Sequence, residues 1–290
     1  MKKKLLISFS GGRTSAYMAW WLLNNKQDIY DMIVVFANTG KEREETLQFV
    51  DRCDKEFGFN TVWIEAKVIF EKGVGTSFSV VDYETADRSG RIFEEHIQKY
   101  GIPNQNAPQC TREMKAIPIR KYAKSIGWKK YETALGIRSD EPSRLSWAKK
   151  HKEKLLYFAE LFHVTKSDVN LFWSKQSFDL EITSYQGNCD LCYKKGLRKL
   201  MTIAKENPEL ADWWREMEQK YGDFDPRNTG EAPFRFFRDN MTIDEIIEES
   251  KFPFELAVDT SKDIDNYRQM AMWDEFLDSN NGCTESCEVF

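Results

Sequence analysis

The sequence predicts an α/β fold with a doubly wound, mostly parallel, Rossmann-like sheet, and three observations carry that expectation. Short apolar runs at residues 5–9, 31–36 and 61–64 read as strands buried on both faces. The first two runs empty into glycine-bearing turns, Ser10-Gly11-Gly12 and Asn38-Thr39-Gly40. Each turn opens a helical pattern, from Thr14 onward and over about residues 42–57, where Leu47, Val50 and Phe57 share one face opposite charges. Such alternation builds parallel sheets that bind ligands beyond the carboxyl ends of their strands, where Ser10 and Asn38 both fall.

The first turn carries the clearest chemistry. A strand ending at Ser8, followed by Ser10-Gly11-Gly12-Arg13-Thr14-Ser15 and a helix, gathers backbone N–H groups and the positive end of a helix dipole at one point. Glycine allows positive φ and close approach to an oxyanion, and the hydroxyls add donors and an N-cap. Phosphate is the natural ligand. The pattern is neither the Gly-Lys-Ser/Thr phosphate loop nor G-x-G-x-x-G.

Composition narrows the classes. The 290 residues, 41% apolar and 14% aromatic, can fill a core. No apolar run approaches the ~20 residues that span a bilayer, so a cytoplasmic protein without a membrane partner is expected. The net charge of −5 is uneven: residues 239–290 hold fourteen Asp/Glu and three Lys/Arg, −11, which leaves +6 for residues 1–238. The acidic end reads as a solvated tail and the body as the anion-binding part.

Further along, Gly73, Gly75, Ser77 and Ser79 suggest a mobile loop, and residues 91–100 a helix with His96 on its surface. Cys110 precedes Arg112 and Lys115, cations suited to lowering a thiol pKa or neutralising an oxyanion. A strand over residues 131–136 ends at Gly136 and releases Ile137-Arg138-Ser139-Asp140-Glu141-Pro142-Ser143-Arg144. Arg138 is the strongest single candidate for holding an oxyanion, because its planar fork donates two parallel hydrogen bonds. The lysine run over residues 149–154 reads as a solvated face without interleaved aromatic residues. Thr165 and Asp168 suit a capping box, and helices over 197–206, 210–221 and 242–249 form a helical lobe. The division expected is an α/β domain over 1–186 and a lobe with an acidic, cysteine-containing tail over 187–290.

Six cysteines in such a chain favour metal or redox chemistry over structural disulfides. Cys189-x-x-Cys192 lets both sulfurs face one metal. Joined to Cys283 and Cys287 the pair makes a closed four-thiolate zinc or iron–sulfur site, the preferred assignment. Joined to Cys110 it makes a three-cysteine cluster with one open corner. Cys53 reads as a buried small hydrophobe.

Several of these stretches carry a family resemblance. Ser10-Gly11-Gly12-Arg13-Thr14-Ser15 resembles the S-G-G-x-D-S loop of the adenine-nucleotide alpha hydrolases, the PP-loop ATP pyrophosphatases and sulfonucleotide reductases, with Thr14 in place of Asp. Asn38-Thr39-Gly40 followed by Glu45-Thr46-Leu47-Gln48-Phe49 resembles the D-T-G-x-x-x-P-E-T-x-x-F stretch of phosphoadenylyl-sulfate reductases, with Asn38 for Asp. Cys110, Lys115 and Pro118 are spaced as in the Cys-Cys-x-x-x-Lys-x-x-Pro-Leu stretch of the iron–sulfur reductases, with Thr111 at the second cysteine. Gly136-Ile137-Arg138, with Asp140, Glu141 and Arg144, is similar to the arginine-bearing loop of that family.

The resemblance implies nucleotide contacts from Ser8, Ser10 to Ser15, Asn38 to Gly40, Gly136, Arg138 and Arg144. It implies an adenine nucleotide ligand (phosphoadenylyl sulfate, adenylyl sulfate or ATP), an iron–sulfur cluster or zinc at the cysteines, and room for magnesium. Reductive cleavage of an adenylyl sulfate to sulfite would use Cys287 as nucleophile, Lys115 and Arg112 as catalytic cations, and a thiol reductant such as thioredoxin, in a homo-oligomer. The alternatives are an ATP-dependent sulfurtransferase that thiolates a nucleic acid, and a nucleotide-sensing module without catalysis.

Overall fold

A computed structural model describes residues 2–187, 189–226 and 228–264. The chain order is β1 (Lys3–Ser8), α1 (Arg13–Asn25), β2 (Tyr30–Asn38), α2 (Glu44–Phe57), β3 (Val62–Lys67), β4 (Ser77–Val81) and α3 (Arg91–Tyr100). Then come a π-helical turn (Thr111–Ala116), α4 (Ile117–Ser125), β5 (Glu132–Leu135), α5 (Trp147–Glu153), β6 (Leu155–Tyr157), α6 (Phe158–Leu161) and α7 (Lys166–Trp173). The lobe supplies α8 (Leu197–Glu206), α9 (Ala211–Tyr221) and α10 (Ile243–Glu249).

Among the described residues one six-stranded sheet forms, in the order β4-β3-β2-β1-β5-β6, parallel except for the β3–β4 pair. The doubly wound α/β fold is as expected. The strand order reverses direction at β1, which pairs with β2 on one side and β5 on the other. The carboxyl ends of β1 and β5 therefore flank a crevice at the topological switch point.

Leu5, Ile7, Val34 and Phe36 pack with α1, α2 and α7 on one face, and Leu6, Val35, Ala37 and Ile64 with α4 on the other. A further cluster joins α3, through Ile92, Phe93 and Ile97, to the knuckle at Cys189–Cys192 and to Trp214, Phe236 and Ile246 of the lobe. Among the described residues no helix is long and apolar enough to cross a membrane.

The structure departs from expectation at two places. The stretch read as a mobile loop contains β4, which adds antiparallel to the edge of β3 from Trp63↔Val81 to Lys67↔Ser77. Its Phe78 and Val81 pack on opposite faces of the sheet, and this alternation outweighs the flanking glycines. The lysine run is a solvated face, as expected: it is the body of α5 together with Lys154 just beyond it, and that helix starts on Trp147, 67% exposed.

His96 is not a surface residue. It is fully buried beside Phe93 and Tyr100, and among the described residues neither ring nitrogen has a hydrogen-bond partner. Its spacing with Ile92, Phe93 and Ile97 puts it on the core face of α3. Burial drives its pKa from 6.5 down to about 3. Between those values the unfolded chain binds the proton and the folded one does not. Stability is therefore complete above the unfolded value and falls by up to about 1.4 kcal/mol per pH unit below it. Urea denaturation at successive pH values below about 6.5 is expected to show this loss, with a flatter profile in His96→Leu; equal slopes in the two proteins would refute it.

Candidate active site

The Ser10–Ser15 turn is closed by its own hydroxyls. Ser15 Oγ accepts from the Ser10 N–H (3.2 Å), lies 2.9 Å from Ser10 Oγ and donates to the Gly12 carbonyl (2.9 Å). Gly11 sits at φ +79°, and a Cβ there would stand 2.6 Å from Thr46 Cγ2, so both conformation and packing require glycine. Gly12 caps α1 without a side-chain bond, so no capping side chain occupies the first-turn N–H groups. Gly136 admits the backbone of α1: a Cβ there would lie 2.9 Å from Ser15 Cα.

The cleft over this turn is lined by Ser10, Thr14, Arg138 and Lys166, with Leu180, Ile182, Thr183, Ser184, Gly187 and Ser261 as the far wall, and is open to solvent. The phosphate-loop residues and Arg138 are thus brought together. Arg138 is buried, not an exposed loop residue. Its Nε donates to Asp140 Oδ1 (2.9 Å), its Nη1 lies 3.6 Å from Glu141 Oε2 and 3.4 Å from Thr14 Oγ1, and its N–H donates to Glu141. Arg144 pairs with the other oxygen of Glu141 at 2.5 Å and lies outside the residues lining the cleft. Arg13 contributes its backbone to the turn, whereas its guanidinium grips Asp179 and the Ser261 carbonyl. Ser8 is buried at the end of β1, behind the turn.

One strand away the expected contacts separate. Asn38 is fully buried: its amide donates to Glu65 (2.7 Å) and to the Asp87 carbonyl (2.9 Å), and its oxygen accepts from the Gly40 N–H. It anchors β2 to β3 and does not line the cleft. Gly40, at φ +78°, turns beneath the Asp87 carboxylate, and a Cβ there would collide with Asp87 Oδ2, so no side chain fits. Thr39 Oγ1 donates to Glu42 (2.8 Å) and lies 3.4 Å from Cys189 Sγ.

Glu42 was not singled out in the sequence and turns out to be central. It bridges to Cys189 in a short antiparallel contact and sits 3.7 Å from Lys115 Nζ, with both side chains buried. Lys115 therefore serves Glu42 and Cys189, while Arg112 is exposed and points to Glu113 (3.5 Å). Cys110 Sγ lies 3.2 Å from the Tyr193 hydroxyl. Lys41 holds the knuckle through Asp190 (3.0 Å), which also accepts from Trp214 Nε1 (2.8 Å).

Cys189 and Cys192 face a shared interior. Burial first, then the charges of Glu42 and Cys192, push the Cys189 thiol well above its ordinary value, so it is protonated near neutrality. Among the described residues no three His, Cys, Asp or Glu side chains are placed to hold one metal ion. The described donors thus do not fit a zinc or cluster site as they stand. Cys283 and Cys287 lie outside the described residues. Among the described residues the cleft lining contains no carboxylate, so it does not fit a carboxylate-held magnesium either.

A phosphate turn at the switch point of a Rossmann-like sheet, faced by an arginine from the neighbouring strand end, defines a PP-loop type of nucleotide-binding domain. Residues 4–181 match the model of the phosphoadenosine phosphosulfate reductase domain, and the chain belongs to that family. It is similar to the nin region protein ORF290 of Escherichia phage lambda, 31% identical across 98% of this chain and 94% of the phage protein. It is also similar to proteins MJ0066 and MJ0973 of Methanocaldococcus jannaschii, at 23% and 24% identity, covering 44% and 47% of their lengths. The chain thus spans less than half of each archaeal relative.

Replacing Arg138 by Ala is expected to weaken adenine-nucleotide binding and also to lower stability by about 3 kcal/mol, since Asp140 and Glu141 lose their buried counter-charge. Calorimetric titration and urea denaturation together check it; a stable variant of unchanged affinity would contradict both parts. Cys189 is expected to resist an aromatic disulfide reagent at neutral pH until the protein unfolds, which timed thiol titration of the native and denatured Cys189→Ser and wild-type proteins would read.

Proposed function

We propose that the crevice at the carboxyl ends of β1 and β5 holds an adenylyl sulfate, its phosphates on the Ser10–Ser15 turn, and that the protein cleaves it reductively to sulfite and the adenosine phosphate. The observation that carries this reading is the gathering of the Ser10–Ser15 turn and buried Arg138 on one crevice in a chain of the phosphoadenosine phosphosulfate reductase family. In the reaction a cysteine thiolate attacks the sulfur, the S–O bond to the phosphate breaks, and the nucleotide leaves with the bonding pair. The resulting S-sulfocysteine is opened by an external dithiol such as reduced thioredoxin, which releases sulfite and becomes the disulfide. Cys287 is the proposed nucleophile. The buried, protonated Cys189 is suited to lining the site and not to the attack itself.

Arg138, held by Asp140 and Glu141, supplies a fixed cation at the floor of the crevice, where it favours phosphate and the departing oxyanion. A second reading, ATP-dependent sulfur transfer to a nucleic acid, uses the same crevice and is favoured by the lysine-rich surface of α4 and α5. A single assay separates them: purified protein with adenylyl sulfate or phosphoadenylyl sulfate and reduced thioredoxin is expected to release sulfite, at least about 100-fold less in Cys287→Ser by loss of an essential nucleophile. Conversion of ATP to AMP and pyrophosphate without sulfite release would favour the second reading, and nucleotide binding with no turnover a sensing module.

A further inference from the structure

Residues 120–154 hold eleven Lys/Arg against four Asp/Glu, +7 within a chain of net charge −5. The fold gathers these charges. Arg120 of α4 reaches Glu153 of α5 at 2.6 Å, so the first turn of α4 lies within side-chain reach of the end of α5. The Thr133 N–H donates to the Lys154 carbonyl, which sets the end of α5 against the start of β5, just after Lys129 and Lys130. Lys124, Lys129, Lys130, Lys149, Lys152 and Lys154 are all exposed along this path. The acids that face it are Glu153, paired with Arg120, Glu160, paired with Lys150, and Glu132 at the head of β5.

At the crevice end of the same face stands Trp147. It is the most exposed large apolar side chain among the described residues, its ring stacked on His151 one turn on (29° between planes) and backed by Lys150 Nζ at 4.8 Å from the centroid. Two residues separate it from Arg144, which shares Glu141 with Arg138. A rigid, outward indole beside a row of lysines is what a nucleic-acid strand uses: bases stack on the ring and phosphates lie along the cations. A lysine row alone would take any polyanion, and the indole narrows the fit to one with flat faces.

We propose that the α4–α5 face, from Lys129 and Lys154 to Trp147, is a docking surface for single-stranded nucleic acid that leads a strand past the mouth of the nucleotide crevice. The surface is distinct from the crevice and stands whichever reaction the crevice performs.

Fluorescence anisotropy with a labelled mixed-sequence single strand, as DNA and as RNA, tests this, with the corresponding duplex and heparin as competitors. The single strand is expected to bind with an affinity that falls steeply with salt. Trp147→Ala should weaken it about tenfold, and Lys149→Glu with Lys152→Glu should weaken it further and flatten the salt dependence. Calorimetric titration with adenine nucleotide should be unchanged in both variants, and thermal melts should match wild type because all three side chains are exposed. The RNA and DNA arms distinguish the two sources of strand. Absence of binding, an unaffected Trp147→Ala, or heparin and single strand bound alike with equal losses in every variant would overturn the proposal.

Discussion

The approach of Gly136 to Ser15 is the contact on which the candidate site depends. A parallel sheet whose strand order turns outward in both directions from β1 leaves a crevice beyond the carboxyl ends of the paired first and fifth strands, and only a residue without Cβ lets the exit of β5 close against the first turn of α1. That closure fixes the phosphate turn relative to the arginine loop. It also explains why the turn needs no side-chain cap: the helix start is held by backbone packing, and its N–H groups stay available.

Around this frame the buried cations are matched by acids. Arg138 has Asp140 and Glu141, Arg13 has Asp179, Lys115 has Glu42, and Lys41 has Asp190. Pairing of this kind keeps the cations oriented and spares the protein the cost of a lone buried charge. It also tempers the positive potential an entering phosphate meets, so affinity comes from backbone donors and geometry more than from net charge. The exposed lysines of α4 and α5 are the opposite case, screened by water and salt and able to act at longer range.

The β-α alternation and the Ser10–Ser15 turn were legible because parallel strands buried on both faces leave unbroken apolar runs, and glycine marks the turns that need it. Other features lay in pairs far apart in sequence. Asn38 could be read as a ligand group only until Glu65 and the Asp87 carbonyl were placed beside it. Glu42 draws meaning from Lys115 and Cys189, neither of them near it in the chain. Two signals were present and unused: the Arg138-x-Asp140-Glu141 spacing, which pairs an arginine with its own loop acids, and the helical register of Ile92, Phe93, His96 and Ile97, which points the histidine inward.

Arg13 also bears on how the molecule is assembled. It reaches Asp179, 166 residues on, and the carbonyl of Ser261, 248 residues on. Asn170 holds the same late segment through the carbonyls of Thr260 and Asp263. During synthesis the phosphate turn is made within the first fifteen residues, yet the wall opposite it arrives only when almost the whole described chain has left the ribosome. Contacts of such sequence separation form late in folding. A nascent chain would carry the residues of the phosphate turn long before the segments that wall the crevice opposite them.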